Sequence, residues 1–147
     1  MVKTEIHIIG LGNLGSAFLE GFTSFDENYL IKVYELNNDI LEIYKNKYPE
    51  YKYHTNLDEV KSGVLILCVK PQTINNIFDQ IKDTIHEDVL ICSPIAGLDI
   101  DHISKSINNK IIKIISNLLI RNNKGFIPYS KNYDDDYLDF IQITLNN

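Results

Sequence analysis

Basic residues are scarce in this 147-residue chain: 14 Lys and Arg stand against 20 Asp and Glu, a net charge of -6. That sign, with no basic stripe interleaving the Tyr and Phe residues, argues against general nucleic-acid binding. Cysteine is scarcer still, only Cys68 and Cys92. Each falls in an apolar, strand-like run, and their spacing fits no metal motif. They read as buried thiols in a reducing compartment rather than a disulfide, a redox pair or metal ligands. No apolar run approaches the roughly 20 residues that span a bilayer. Val2-Lys3-Thr4-Glu5 lacks the charged and apolar blocks of a signal peptide, so the expected location is cytoplasmic, away from membranes. No Pro/Ser/Gly-rich linker or internal repeat divides the chain. With an apolar share of 44%, residues 1–147 are expected to form one domain.

Catalytic signatures are missing too. His7 sits in a strand-like segment and reads as packed or edge-exposed, while His54, His86 and His102 are scattered through polar segments. No nucleophile or carboxylate is arranged around any of them, so a Ser-His-Asp arrangement has no support and no proton donor stands out. The catalytic residue is unknown from the sequence.

What is present is the stretch Ile6-His7-Ile8-Ile9-Gly10-Leu11-Gly12-Asn13-Leu14-Gly15-Ser16-Ala17-Phe18. A short apolar strand runs into glycines at the G-x-G-x-x-G spacing and then into a helix with a stripe of Leu14, Ala17, Phe18 and Phe22. In such a turn the first glycine makes the tight bend. The second lets backbone approach a pyrophosphate, and the third lets the helix lie close to the strand. The helix N-terminus stabilises an anion through its own N–H groups and dipole, without help from a basic side chain. None occurs between Gly10 and Gly21. A second strand, Leu30–Tyr34, ends at Glu35, where a dinucleotide site places its ribose-binding acid.

Further along, Asn37 or Asn38 caps a helix through about Tyr48 with Ile40, Ile43 and Tyr44 as its apolar face, and Pro49 stops it. Tyr51–His54 alternates as an edge strand. Asn56 caps a helical turn through Val60. The continuous apolar run Val64–Val69 reads as a central parallel strand covered on both faces. Pro71 suits the first position of a helix over about 72–85, with Ile74, Ile77, Phe78, Ile81 and Ile85 on one stripe. A strand at Val89–Ser93, a short helix at Ile100–Ile107 and a strand at Ile111–Ile115 follow. Gly125–Tyr129 suits a last edge strand and Asp134–Leu145 a last helix, its acidic start complementing the helix dipole rather than binding metal. This alternation predicts an α/β fold, a doubly wound and mainly parallel Rossmann-like sheet, with the ligand crevice at the carboxyl ends of the strands.

Four stretches, in order, give the chain a family likeness: Gly10–Gly15, Cys68-Val69-Lys70-Pro71-Gln72, Ser93-Pro94-Ile95-Ala96-Gly97, and Lys113-Ile114-Ile115-Ser116-Asn117 with Gly125 after it. The sequence resembles the N-terminal half of the pyrroline-5-carboxylate reductases. The resemblance implies NAD(P)H-dependent reduction of a cyclic imine in proline synthesis. It implies that the loop of Gly10, Gly12, Asn13, Leu14 and Gly15 holds the pyrophosphate, that Asn56 reaches the cofactor, and that backbone at Val69, Lys70 and Pro71 borders the nicotinamide. The family's helical dimerisation domain, which carries most of the substrate site, has no counterpart in these residues, so the alternative is a non-catalytic dinucleotide-binding module or a degenerate remnant. Leu118-Leu119-Ile120 either pair two copies as a homodimer or cover the sheet. The family's proline-rich active-site loop is reduced here to Lys113 and Asn117. Its members commonly follow the second strand with a polar residue and Arg; Glu35-Leu36 stands there instead. A carboxylate accepts hydrogen bonds from the ribose hydroxyls of NAD and repels the phosphate of NADP, so NAD is the preferred cofactor over NADP. Lys32, earlier on the same strand, is the cation nearest in sequence that could offset that charge.

Overall fold

Branched apolar residues are concentrated in short runs, and in the computed structural model these runs become the strands of a single seven-stranded sheet. The structure describes residues 3–25, 27–115, 118–122 and 128–133. The strands are β1 (Thr4–Ile9), β2 (Tyr29–Tyr34), β3 (Lys52–His54), β4 (Val64–Leu67), β5 (Leu90–Ser93), β6 (Ile111–Ile114) and β7 (Tyr129–Lys131). Their order is β3-β2-β1-β4-β5-β6-β7, all parallel except β7, which runs antiparallel to β6.

Residues alternate across the pleat, and both faces of the central strands are covered, so β4 is buried along its whole length. On one face Ile6, Ile8, Val64 and Ile66 pack against Ala17, Phe18, Leu19 and Phe22 of helix α1 (Asn13–Phe22). On the other, Ile9, Leu65 and Leu67 pack against Ile74, Ile77, Phe78 and Ile81 of α3 (Ile74–Ile81) and Ile103 of α4 (Ile100–Ser104). Helix α2 (Asn38–Lys47) lies beside β3, and its cap is Asn37, whose Oδ1 accepts the N–H groups of Asp39 and Ile40 at 3.0 and 3.3 Å. Glu20 on α1 pairs with Lys47 of α2 at 3.3 Å and with Arg121 of a 3-10 turn at Leu118–Asn122. Ile120 of that turn is buried in the α1 layer, whereas Leu118 is half exposed.

The strands of the sheet and the helices after β1, β2, β4 and β5 form where expected, with corrections at their ends, but the helical turn expected at Asn56–Val60 does not. Asn56 caps no helix. Residues 57–59 have no regular structure, and Val60, fully buried, forms a parallel bridge with Ile85 through Val60 N–H to the Thr84 carbonyl (3.0 Å) and His86 N–H to the Val60 carbonyl (2.8 Å). That same bridge takes Ile85 out of helix α3, which stops at Ile81. The helix is also preceded by a separate 3-10 turn at Pro71–Thr73. Strand β4 ends at Leu67, not Val69; α4 is shorter than Ile100–Ile107 and β6 ends at Ile114. Ile43 faces solvent, 63% exposed, and Leu41 is the buried residue of α2. The last edge strand lies at Tyr129–Lys131 instead of ending at Tyr129. Asn117, residues 125–127 and the helix expected over 134–145 lie outside the described residues.

Candidate functional site

The chain runs outward from β1 to β3, then crosses back to place β4 on the other side of β1, so the loops leaving β1 and β4 diverge and open a crevice at the strands' carboxyl ends. The backbone ladder continues past both strands: Gly10 N–H donates to the Tyr34 carbonyl and Cys68 N–H to the Ile9 carbonyl, each at 2.8 Å.

Each glycine of the loop is required for a different reason. Gly10 has φ +96°, and a Cβ there would stand 2.4 Å from the Cys68 carbonyl oxygen. At Gly15 a Cβ would come within 1.8 Å of the Gly10 carbonyl oxygen, which is the close approach of helix to strand. A Cβ at Gly12 meets nothing within 4 Å. Gly12 is the N-cap of α1, makes no side-chain cap, and faces open space in front of the helix's unpaired N–H groups. An anionic pyrophosphate fits that cradle, and a side chain on Gly12 would fill it.

Gly12, Asn13 and Leu14 form one wall of a crevice of about 320 Å³, Leu67 through Pro71 its floor, and Pro94, Ile95 and Ala96 the opposite wall. The structure therefore brings Gly12, Asn13, Leu14, Val69, Lys70 and Pro71 together, with Gly10 and Gly15 locked beneath them. Glu35 and Asn56 lie toward β2, sharing a small cavity of about 50 Å³ with Tyr34, Leu57 and Ile77. The Glu35 carboxylate accepts the N–H of Leu11 in the glycine loop at 2.8 Å and the N–H of Asn37 at 3.1 Å. It thus ties the loop to the start of α2. Lys32 is engaged elsewhere, 3.0 Å from Glu5 Oε1.

Among titratable groups on the crevice floor, the Cys68 thiol is pushed well up by burial and then by its neighbour Cys92, and burial raises Cys92 to about 12. Both stay protonated thiols near neutral pH. Ser93, at the end of β5, is fully buried, and its Oγ has no hydrogen-bond partner among the described residues. Below the small cavity, the rings of His7 and His54 flank Tyr34, with centroids 6.1 and 5.4 Å from it. Burial, then the charges of Asp58 and Glu5, push the Tyr34 phenol up to about 12. Among the described residues no three His, Cys, Asp or Glu side chains group to hold a metal, and no helix is long and apolar enough to cross a membrane.

Sequence reasoning did not assign Pro94, Ile95 and Ala96 to the site. They follow a strand at its carboxyl end, as Lys70 and Pro71 do, and that position is the signal that finds them. The stack around Tyr34 left no signal, because its rings come from three separate strands.

A family profile described as "NADP oxidoreductase coenzyme F420-dependent" matches residues 5–97. Pyrroline-5-carboxylate reductase 1 of Dictyostelium discoideum is 26% identical over 113 residues, covering 72% of this chain and 20% of the relative. Among solved structures, a pyrroline-5-carboxylate reductase from Coxiella burnetii superposes with TM-score 0.85 at 21% identity, covering 99% of this chain and 56% of that one. Plasmodium falciparum pyrroline carboxylate reductase with NADP bound superposes with TM-score 0.75 at 19% identity, covering 98% and 54%. The chain thus spans a fifth of the curated relative and just over half of the solved ones. The profile covers well over half of the chain, so the chain belongs to the NADP oxidoreductase coenzyme F420-dependent family.

Proposed function

We propose that this chain is the cofactor-holding part of an oxidoreductase of the pyrroline-5-carboxylate reductase type, which reduces a cyclic imine. A nicotinamide dinucleotide bound here would supply the hydride. The backbone N–H groups at Gly12, Asn13 and Leu14 hold its pyrophosphate, and Glu35 and Asn56 serve the adenosine ribose end. Val69, Lys70 and Pro71, facing Pro94–Ala96, border the nicotinamide end and line it with largely apolar walls. The observation that carries this reading is the contrast between the jammed backbone of Gly10 and Gly15 and the open cradle at Gly12. Calorimetric titration with NADH tests it: Gly12→Val is expected to abolish binding, and unchanged affinity in that variant overturns the reading.

The preferred cofactor is NAD. Glu35 presents its carboxylate at the end of β2, the residues lining its cavity include no Lys or Arg, and Lys32 is held by Glu5. A 2′-phosphate would meet like charge without a compensating cation and would displace the ribose hydrogen bonds, at a cost of about 1–3 kcal/mol, roughly ten- to hundredfold in affinity. Titration of both cofactors into the native chain and into Glu35→Ser/Leu36→Arg is expected to show NAD ahead in the first and NADP gaining in the second. Equal or tighter NADP binding by the native chain would sink the preference.

A second reading, a dinucleotide-binding module without catalysis, draws on the lining of the crevice. Its titratable side chains are Lys70 and the protonated thiol of Cys68, neither arranged with a partner for proton transfer. Binding of NADH without imine turnover in any longer form of the protein would favour it.

A further inference from the structure

The wall formed by Pro94, Ile95 and Ala96 belongs to a tight turn. Leu98 N–H donates to the Ile95 carbonyl at 3.5 Å, and Gly97 has φ +75°, the value a type II turn needs at its third position. Ile95 and Leu98 are buried in the apolar layer below, while Ala96 stays exposed above. One further tie comes from outside the turn. Lys113 stands opposite Ser93 on the neighbouring strand β6, and its Nζ donates to the Leu98 carbonyl oxygen at 2.6 Å, a short, charge-assisted bond in a partly buried setting. Lys113 also lines a shallow pocket beside β7 with Ile115, Pro128 and Tyr129, so this one side chain runs from that pocket to the crevice wall.

We propose that Lys113 is a positioning residue for the nicotinamide half of the cofactor: by fixing the Ile95–Leu98 turn it sets the width of the crevice where the ring enters, without touching the ring. This rests on the cofactor reading above. Glu35 and Asn56, on the β2 side, serve the adenosine half, so the two halves of the ligand are held by different parts of the fold. Lys113 therefore acts on only one of them.

The test compares NADH with ADP-ribose, which lacks the nicotinamide, by calorimetry on the 147-residue chain. In Lys113→Met the Kd for NADH is expected to rise about tenfold, as for loss of a hydrogen bond to a charged group, while that for ADP-ribose stays within about twofold. Lys113→Arg, which keeps charge and donor, is expected to restore NADH binding. Should Lys113→Met fail to fold, Lys113→Gln, uncharged and shorter, must show the same split. Equal weakening of both ligands, or no weakening of either, overturns the role of Lys113. Failure of the native chain to bind ADP-ribose overturns the cofactor reading instead, so the two failures are told apart.

Discussion

Both ring nitrogens of His7 are engaged: Nε2 lies 3.1 Å from the Ser62 carbonyl, Nδ1 lies 3.2 Å from the Tyr34 hydroxyl, and the residue is 1% exposed. With Nε2–H donating to the carbonyl, Nδ1 accepts the phenol proton, and the neutral ring is satisfied. Burial lowers the pKa of His7 below its ordinary 6.5, outweighing the Glu5 carboxylate beside it, which favours the charged ring. The unfolded chain therefore takes up a proton before the folded one does. The stability that neutral His7 contributes is complete above about pH 6.5 and is lost as pH falls towards its lowered native value. Urea midpoints are expected to drop on acidification from pH 7 to about 5.5 in the native chain, and to drop less in His7→Gln. The same slope in both would assign the acid sensitivity to other groups. Glu5 adds to the loss at lower pH: burial alone would raise its carboxyl, but the hydrogen bond and charge of Lys32 and the nearness of His7 hold it below 4.5. At this scale the sequence was unevenly legible. The glycine spacing is local, so Gly10, Gly12 and Gly15 could be read directly, whereas Tyr34 and Ser62 meet His7 only after the sheet has formed.

Among elements, helix α2 shows how far periodicity carries. Of the expected apolar face, Ile40 and Tyr44 pack partly buried against the core, but α2 sits at the sheet's edge beside the short strand β3 and buries a narrow strip. Leu41 falls on that strip and Ile43 does not. Leu41→Ala is expected to cost about 2–3 kcal/mol in urea unfolding, and Ile43→Ala no more than about 0.5. Comparable losses at both positions would return Ile43 to the packed face. Val60 teaches the converse. Its neighbourhood reads as a capped turn because Asn56 and Asp58 are good turn residues, but tertiary pairing with Ile85 draws the backbone out straight. Parallel strands covered on both faces were legible because a continuous apolar run such as Val64–Leu67 has few other uses. Where helices stop was less so, since the reason lies in a pairing partner far along the chain.

For the molecule as a whole, the cofactor role proposed for the crevice concerns one reactant, and substrate capture is a separate requirement. Orienting both reactants supplies roughly 7–11 kcal/mol of barrier lowering in well-ordered sites. The 147 residues span just over half of the solved relatives. Assayed by themselves with NADH, they are expected to reduce pyrroline-5-carboxylate far below ordinary enzyme rates while still binding the cofactor. Turnover near about 10 per second, a typical enzyme value, would refute this.

The strand order also bears on how the molecule comes into being. Ile6 of β1 pairs with Val64 of β4, so the inner edge of β1 waits unpaired until a long intervening stretch has been made and threaded back. During synthesis β1, α1 and β2 can associate early through contacts near in sequence, presenting an open, apolar edge that invites pairing with other chains. Closing that gap is a distant contact and slow to form. The crevice lies at this distant seam, so the dinucleotide binding proposed for it would require the seam to be closed, and a bound dinucleotide would act as a latch against its reopening.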